Sequence, residues 1–227
     1  MLRHLINVLF PKVCAGCKTF LLGNEKVICT RCRHEIPLTG FYMDPNNDSY
    51  KKFYGRIIVD HVSSFMYYHK KGIVQEIIHS LKYRGHEEIG SMLGEWYAGH
   101  LKELELHTKV DLIIPVPLHK KKLRQRGYNQ VSAFSRTLSE KLNIPYNEQL
   151  LVRKVHSKTQ SKKSRSNRIE IKEGVFDVAF DENHHNKHYL LIDDVLTTGS
   201  TLEACGRALL KIPGAKLSII TMAITDS

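Results

Sequence analysis

The stretch Tyr189-Leu190-Leu191-Ile192 runs straight into Asp193-Asp194-Val195-Leu196-Thr197-Thr198-Gly199-Ser200-Thr201, and it constrains this chain more than any other. The apolar run at 189–192 is too short for a helix and predicts an interior parallel strand. Leu202, Cys205, Leu209 and Leu210 then recur at helical spacing. The hydroxyl-rich turn therefore lies where a helix begins. Backbone N–H groups of residues 197–201, the Thr and Ser hydroxyls and the positive end of the helix dipole would together cradle a phosphate monoester. Two carboxylates beside that cradle would repel a bare phosphate. They suit hydrogen bonds from neighbouring hydroxyls, or a hydrated Mg²⁺. A phosphorylated sugar meets both demands, whereas an acid pair that merely caps a helix is the plainer alternative.

The whole pattern resembles the ribose-5-phosphate signature of the type I phosphoribosyltransferases. No lysine-bearing Gly-rich loop and no Gly-x-Gly-x-x-Gly fingerprint occurs, so kinase and dehydrogenase functions have no anchor.

Near the other end, Cys14-Ala-Gly-Cys17 and Cys29-Thr-Arg-Cys32 form two Cys-x-x-Cys pairs separated by eleven residues. The spacing suits paired knuckles holding one tetrahedral Zn²⁺ through four thiolates. A redox role is the lesser alternative. The fifth cysteine, Cys205, falls on the apolar face of the helix after the turn and is read as a small core residue.

With 227 residues and 42 % hydrophobic content, the chain can bury one α/β core plus a small metal-dependent appendage. Residues 1–37 are expected to form a Cys₄ zinc ribbon, 38–60 a linker rich in turn residues, and 61–227 the main domain. Strands are expected at 62–68, 112–116, near 150–152 and 175–178, at 189–192 and from 217. Helices are expected at 72–81, 90–104, 129–142 and 201–211. Their alternation predicts a mainly parallel sheet flanked by helices. The apolar stretch 5–10 is too short for a signal segment and the run 219–224 too short to span a bilayer. A cytoplasmic protein without membrane insertion is expected, in line with thiols gathered for metal.

Lys and Arg total 34 against 23 acids, an excess of 11. Two acid-free segments hold 12 of them: five within 119–126 and seven within 153–168. Such runs are commonly solvated faces. The first, however, follows the strand at 112–116 and should emerge at the carboxyl edge of the sheet, beside Asp193 and Asp194, where ligands of open α/β sheets bind.

Lys82-Tyr83-Arg84-Gly85, Pro115-Val116-Pro117-Leu118-His119, Arg124-x-Arg126-Gly127-Tyr128-Asn129-Gln130, Thr159-Gln160 and the 193–201 loop follow the four cysteines in order. This ordered set resembles the ComF-type competence proteins, a branch of the phosphoribosyltransferase superfamily with an N-terminal zinc ribbon. The chain departs from the pattern at Ile171, where an Asn is expected three positions after Arg168.

The resemblance implies a phosphoribosyltransferase-like domain binding 5-phosphoribosyl diphosphate with Mg²⁺. Thr197, Thr198, Gly199, Ser200 and Thr201 would take the 5-phosphate, and Asp193 and Asp194 the ribose hydroxyls. The turn of Pro115, Val116, Pro117 and His119 would take the diphosphate. Substitution at the anomeric carbon would place positive charge on the sugar, stabilised by the carboxylates, while Mg²⁺, Arg124 and Arg126 stabilise the leaving group. Residues 159–168 suggest a mobile loop over such a site. The family also implies a part in handling single-stranded DNA during uptake or processing, alongside other DNA-processing proteins. Arg31 and Arg33 on the second knuckle and Tyr128 would extend a cationic, stacking groove, and a purely structural ribbon is equally compatible. An active phosphoribosyltransferase of nucleotide salvage is the alternative.

Overall fold

The computed structural model describes residues 11–83, 85–154 and 174–225. The 1–10 segment, Arg84, and the loop with Thr159, Gln160, Lys162, Lys163, Arg165, Arg168 and Ile171 lie outside the described residues.

Four strands form one parallel sheet: β1 (His61–Tyr68), β2 (Leu112–Pro115), β5 (His188–Leu196) and β6 (Lys216–Thr225), in the order β1-β6-β5-β2. Two short strands, β3 (Leu151–Arg153) and β4 (Phe176–Val178), pair antiparallel as a separate ribbon. The mainly parallel α/β sheet expected from the sequence is present. Its central strands carry apolar side chains on both faces, with Leu190, Leu191, Ile192, Ile219 and Ile220 wholly buried, as a sheet covered on both sides requires.

One face is covered by α3 (Ile73–Tyr83), α4 (Glu87–Glu103), which the short α5 (Leu106–Lys109) follows, and α7 (Ser132–Leu142). Leu93, Tyr97 and Leu101 form the buried stripe of α4, as their spacing predicts. Gly90 and Gly94, one turn apart, let the α7 backbone come close: a Cβ on Gly94 would stand 2.9 Å from the Phe134 carbonyl oxygen. The other face is covered by α8 (Ser200–Leu209), where Leu202, Cys205 and Leu209 are buried. Cys205 is thus a core residue, as expected.

Residues 38–60, read as a linker, are packed into the core. Leu38 bridges Met66 antiparallel, and the Asn47 amide donates to the Val62 and Phe41 carbonyls at 2.8 and 3.1 Å. Phe53 is wholly buried. Two short turns of helix, a 3₁₀ turn at Phe41–Met43 and α2 (Asp48–Lys51), carry the chain around the edge of β1.

The cysteine segment, with α1 (Thr30–Glu35), rests on the outer side of α3 and α4. Lys18 donates to Ser80 Oγ at 3.1 Å and pairs with Glu76 at 3.4 Å, while the Arg33 guanidinium lies 5.0 Å above the Trp96 ring.

Candidate functional site

Strand β5 does not end where its apolar run ends. Asp193 pairs with Thr221, Val195 with Ala223 and Leu196 with Ile224, so both acids are strand residues and the turn begins only at Thr197. Gly199 closes it with φ 74°, a left-handed conformation that favours glycine. The first bond of α8 runs from the Glu203 N–H to the Gly199 carbonyl at 2.8 Å. The N–H groups ahead of it are those that every helix start leaves without an intrahelical acceptor. A cavity of about 40 Å³ lies against Asp193, Thr197, Gly199, Ser200 and Thr201.

The turn is held from behind by residues that sequence reasoning missed. The Phe53 ring packs 3.2 Å from where a Cβ of Gly199 would be. Arg56 donates to the Thr198 carbonyl at 2.7 Å and to Glu203 at 2.8 Å, and Glu203 also accepts from Arg207 at 3.0 Å. Burial would raise the Glu203 carboxyl, but the Arg207 and Arg56 bonds hold it below the usual range. No sequence signal ties position 56 to position 198.

The two acids differ sharply. Asp194 is nearly buried; one oxygen, Oδ2, pairs with Lys82 Nζ at 2.8 Å and accepts from the Gln130 amide at 2.9 Å. Asp193 Oδ1 accepts from the Asp194 N–H at 2.8 Å. Burial first, and the neighbouring Asp194 charge second, push the Asp193 carboxyl up to about 7, against the pull of Lys82 and Lys122. Lys82 and Gln130, which belong to the motifs already quoted, thus stand within the site.

The turn after β2 lies alongside. Pro115 is in register with Ile192, and the Val116 N–H donates to the Ile192 carbonyl at 2.8 Å. The Asn129 amide returns to the Val116 carbonyl at 3.0 Å. Pro115, Val116 and Pro117 are therefore brought next to the acid pair at the carboxyl edge.

The basic segment folds as a short helix, α6 (Lys120–Arg126), capped by His119 Nδ1, which accepts from the Lys121 N–H at 3.1 Å, and ended by Gly127 at φ 82°. Arg124 is exposed; Arg126 donates to Gln130 Oε1 at 2.7 Å and lies over the Tyr83 ring. Tyr128 is corrected as a stacking surface. Its hydroxyl donates to the Leu81 carbonyl and its ring packs against the core.

The four cysteine sulfurs lie within 4.8 Å of one another, with Cys17 and Cys29 Sγ 3.6 Å apart. Tetrahedral Zn–S bonds of about 2.3 Å would place sulfurs roughly 3.8 Å apart. Backbone N–H groups of Cys29 and Cys32 donate to Cys14 and Cys29 Sγ at 3.3 and 3.4 Å, which orients the ligands as a metal knuckle needs. The Thr19 hydroxyl, foremost, holds the Cys17 thiol down to about 6. This cluster can hold one structural metal ion. Arg31 is paired with Glu35 at 2.8 Å and Arg33 stacks on Trp96.

No family model matches the chain. Among curated proteins, competence protein F of Haemophilus influenzae is 34 % identical over 114 residues, which is 50 % of each chain. Competence protein ComFC of Bacillus subtilis is 29 % identical over 151 residues, 66 % of this chain and 59 % of that one. The DNA utilization protein YhgH of Escherichia coli O157:H7 is 27 % identical over 146 residues, 63 % of each. The chain thus spans between half and somewhat under two thirds of these relatives' length. The resemblance to ComF-type proteins is borne out by homologues of that name. Among solved structures, an adenine phosphoribosyltransferase covers 67 % of this chain and 75 % of its own at 16 % identity and TM-score 0.41. A hypoxanthine phosphoribosyltransferase from Staphylococcus aureus has a TM-score of 0.35 at 18 % identity, covering 60 % of this chain and 62 % of its own.

Proposed function

We propose that the chain binds 5-phosphoribosyl diphosphate with Mg²⁺ at the carboxyl edge of its sheet and single-stranded DNA on the adjoining cationic surface, acting in DNA uptake or processing. One observation carries the reading: the acid pair lies near the end of a central strand, two residues before a glycine-closed turn that opens α8, and Pro115 at the start of the Pro115–Pro117 turn is in register beside it. A sugar with phosphate at one end and diphosphate at the other matches that order. The names of the homologues support the DNA half.

In this reading the 197–201 turn takes the 5-phosphate. Asp193 is the principal acceptor of ribose hydroxyls, since an oxygen of Asp194 already holds Lys82 and Gln130. The diphosphate lies toward Val116, Pro117 and His119, with Arg124 in reach of solvent-borne anions. Among the described residues the four cysteines are the one group of three or more metal ligands. Mg²⁺ therefore comes with the diphosphate oxygens, which is how this ion is usually held. In the cysteine cluster we infer zinc, because four thiolates near tetrahedral spacing suit it and leave no open position. Free thiols of this kind favour a reducing compartment, hence the cytoplasm. No helix among the described residues is long and apolar enough to cross a membrane.

An active phosphoribosyltransferase is the second reading, favoured by Asp193, whose carboxyl titrates near neutrality and can exchange a proton at working pH. The deciding experiment incubates the protein with labelled 5-phosphoribosyl diphosphate, Mg²⁺ and candidate bases, and measures strand binding in parallel. Mg²⁺-dependent ligand binding, no diphosphate release and salt-sensitive DNA binding are expected. Diphosphate released in proportion to one base would establish the enzyme instead.

A further inference from the structure

The motif Lys82-Tyr83 ends α3 with two side chains that part company. Lys82 turns inward to Asp194. Tyr83 turns outward, 57 % exposed. The Arg126 guanidinium lies 4.9 Å above its ring centroid, with one nitrogen 3.4 Å from its hydroxyl. One helical turn back, the exposed His79 ring is 4.8 Å away. Arg126 is not loose: it donates to Gln130, whose amide donates to Asp194. An aromatic ring, a flat cation and the buried acid are thereby joined in one hydrogen-bonded chain at the border of the sugar site.

We propose that Tyr83 and Arg126 form a stacking platform for an unpaired nucleobase of a single strand whose phosphates run along α6. The proposal rests on the strand-binding reading above and assigns it a residue. A lone exposed tyrosine is ordinary. This one differs in being overlaid by a guanidinium that is itself fixed, which presents a planar surface of the kind bases stack on. Charge argues for a strand. Lys120, Lys121, Lys122 and Arg124 follow one another on α6 with no acid among them. A sugar diphosphate carries roughly four to five negative charges before Mg²⁺ offsets two, so it cannot match the basic surface alone. A free base would be recognised in a concave, enclosing pocket, whereas the Tyr83 ring stands open to solvent.

The test compares a single-stranded oligonucleotide carrying 2-aminopurine with an abasic strand of equal phosphate number, on the full chain and on Tyr83→Ala and Tyr83→Trp. Because the ring is exposed, both variants should keep the wild-type melting transition. Wild type should prefer the base-bearing strand on the order of tenfold, the worth of about one stacked base, and quench the 2-aminopurine. Tyr83→Ala should lose the preference and the quenching while keeping the salt slope; Tyr83→Trp should keep all three. Equal binding of both strands by wild type overturns the platform and leaves the strand reading standing. No binding of either strand removes both. Free adenine displacing the strand at micromolar concentration would make the platform an acceptor-base site and overturn the proposal.

Discussion

Asp193→Asn should make the protein more stable while weakening its grip on a phosphorylated sugar. An aspartate carboxyl ordinarily titrates at 3.8, and this one is pushed up to about 7 in the folded chain. The sign follows from proton counting. Below pH 3.8 both states hold the proton and the group contributes nothing. Between 3.8 and 7 the unfolded chain has lost it and the folded chain has not, so stability falls as pH rises. Above 7 the penalty is fully present and constant. The gap between the two values sets an upper bound of roughly 4 kcal/mol, and about 2 kcal/mol is the reasonable expectation for a carboxyl whose charge is shared with its neighbour Asp194. An asparagine keeps the acceptor for the Asp194 N–H and carries no charge, so it escapes the penalty.

Urea unfolding followed by the fluorescence of the single tryptophan, Trp96, gives the difference between variant and wild type at pH 5 and pH 8. Other titrating groups, the cysteine thiols among them, are common to both proteins and cancel. The variant's advantage should be smaller at pH 5 than at pH 8, because part of the penalty is already present at pH 5. An advantage equal at both pH values, or a variant less stable at pH 8, would refute the assignment of an uncompensated buried charge. Loss of sugar-phosphate affinity alongside the gain would be the exchange of stability for function that such sites show.

Other outcomes follow from the same geometry. Lys82→Met should destabilise the fold, by less than the roughly 3–5 kcal/mol of a fully buried pair, because Lys82 retains 22 % of its side-chain exposure; the double variant with Asp194→Asn should recover much of the loss in a thermal melt. Reduced protein should carry one zinc by metal analysis, and Cys17→Ser should lower that content while the sheet's melting transition persists. Replacing Lys120, Lys121 and Lys122 by Gln should flatten the salt dependence of single-stranded DNA binding by up to about two units, at about 0.7 per phosphate contact; an unchanged slope in a filter-binding titration would move those charges to the diphosphate.

The strands and long helices were legible because each carries its own period: 3.6 in α4, unbroken apolar runs in β2 and β5. The acid pair, the turn and the cysteine knuckles were legible because their chemistry is contiguous in sequence. What escaped was of two kinds. Helix α6 has a single apolar residue, Leu123, itself exposed, so no hydrophobic pattern announces it; its ends are set by His119 and Gly127 instead. The 38–60 segment reads as a linker because Gly40, Pro45 and Asn46 punctuate it, yet Phe41, Phe53 and Val59 are buried. Its role becomes visible only once folding brings Phe53 and Arg56 under the 197–201 turn. Likewise the length of β5 was concealed by its acids, although the ladder continues through them, with Asp193 opposite Thr221 and Val195 opposite Ala223.

Helix α3 links the cysteine cluster to the acid pair. At its start, Ile73 packs against the cysteine turn, with the Ile73 side chain and Cys32 Sγ both crowding Gly16; midway, Glu76 and Ser80 hold Lys18. At its end, Lys82 neutralises Asp194 and Tyr83 meets Arg126. A rod of eleven residues whose one flank is fixed by the cysteine turn and whose last turn is fixed by the acid pair cannot shift at one end alone. The cysteine segment on the outside of the sheet thus supports the placement of Lys82 beside Asp194. That accounts for the cysteine segment being set against α3 without contributing a residue to the acid pair itself.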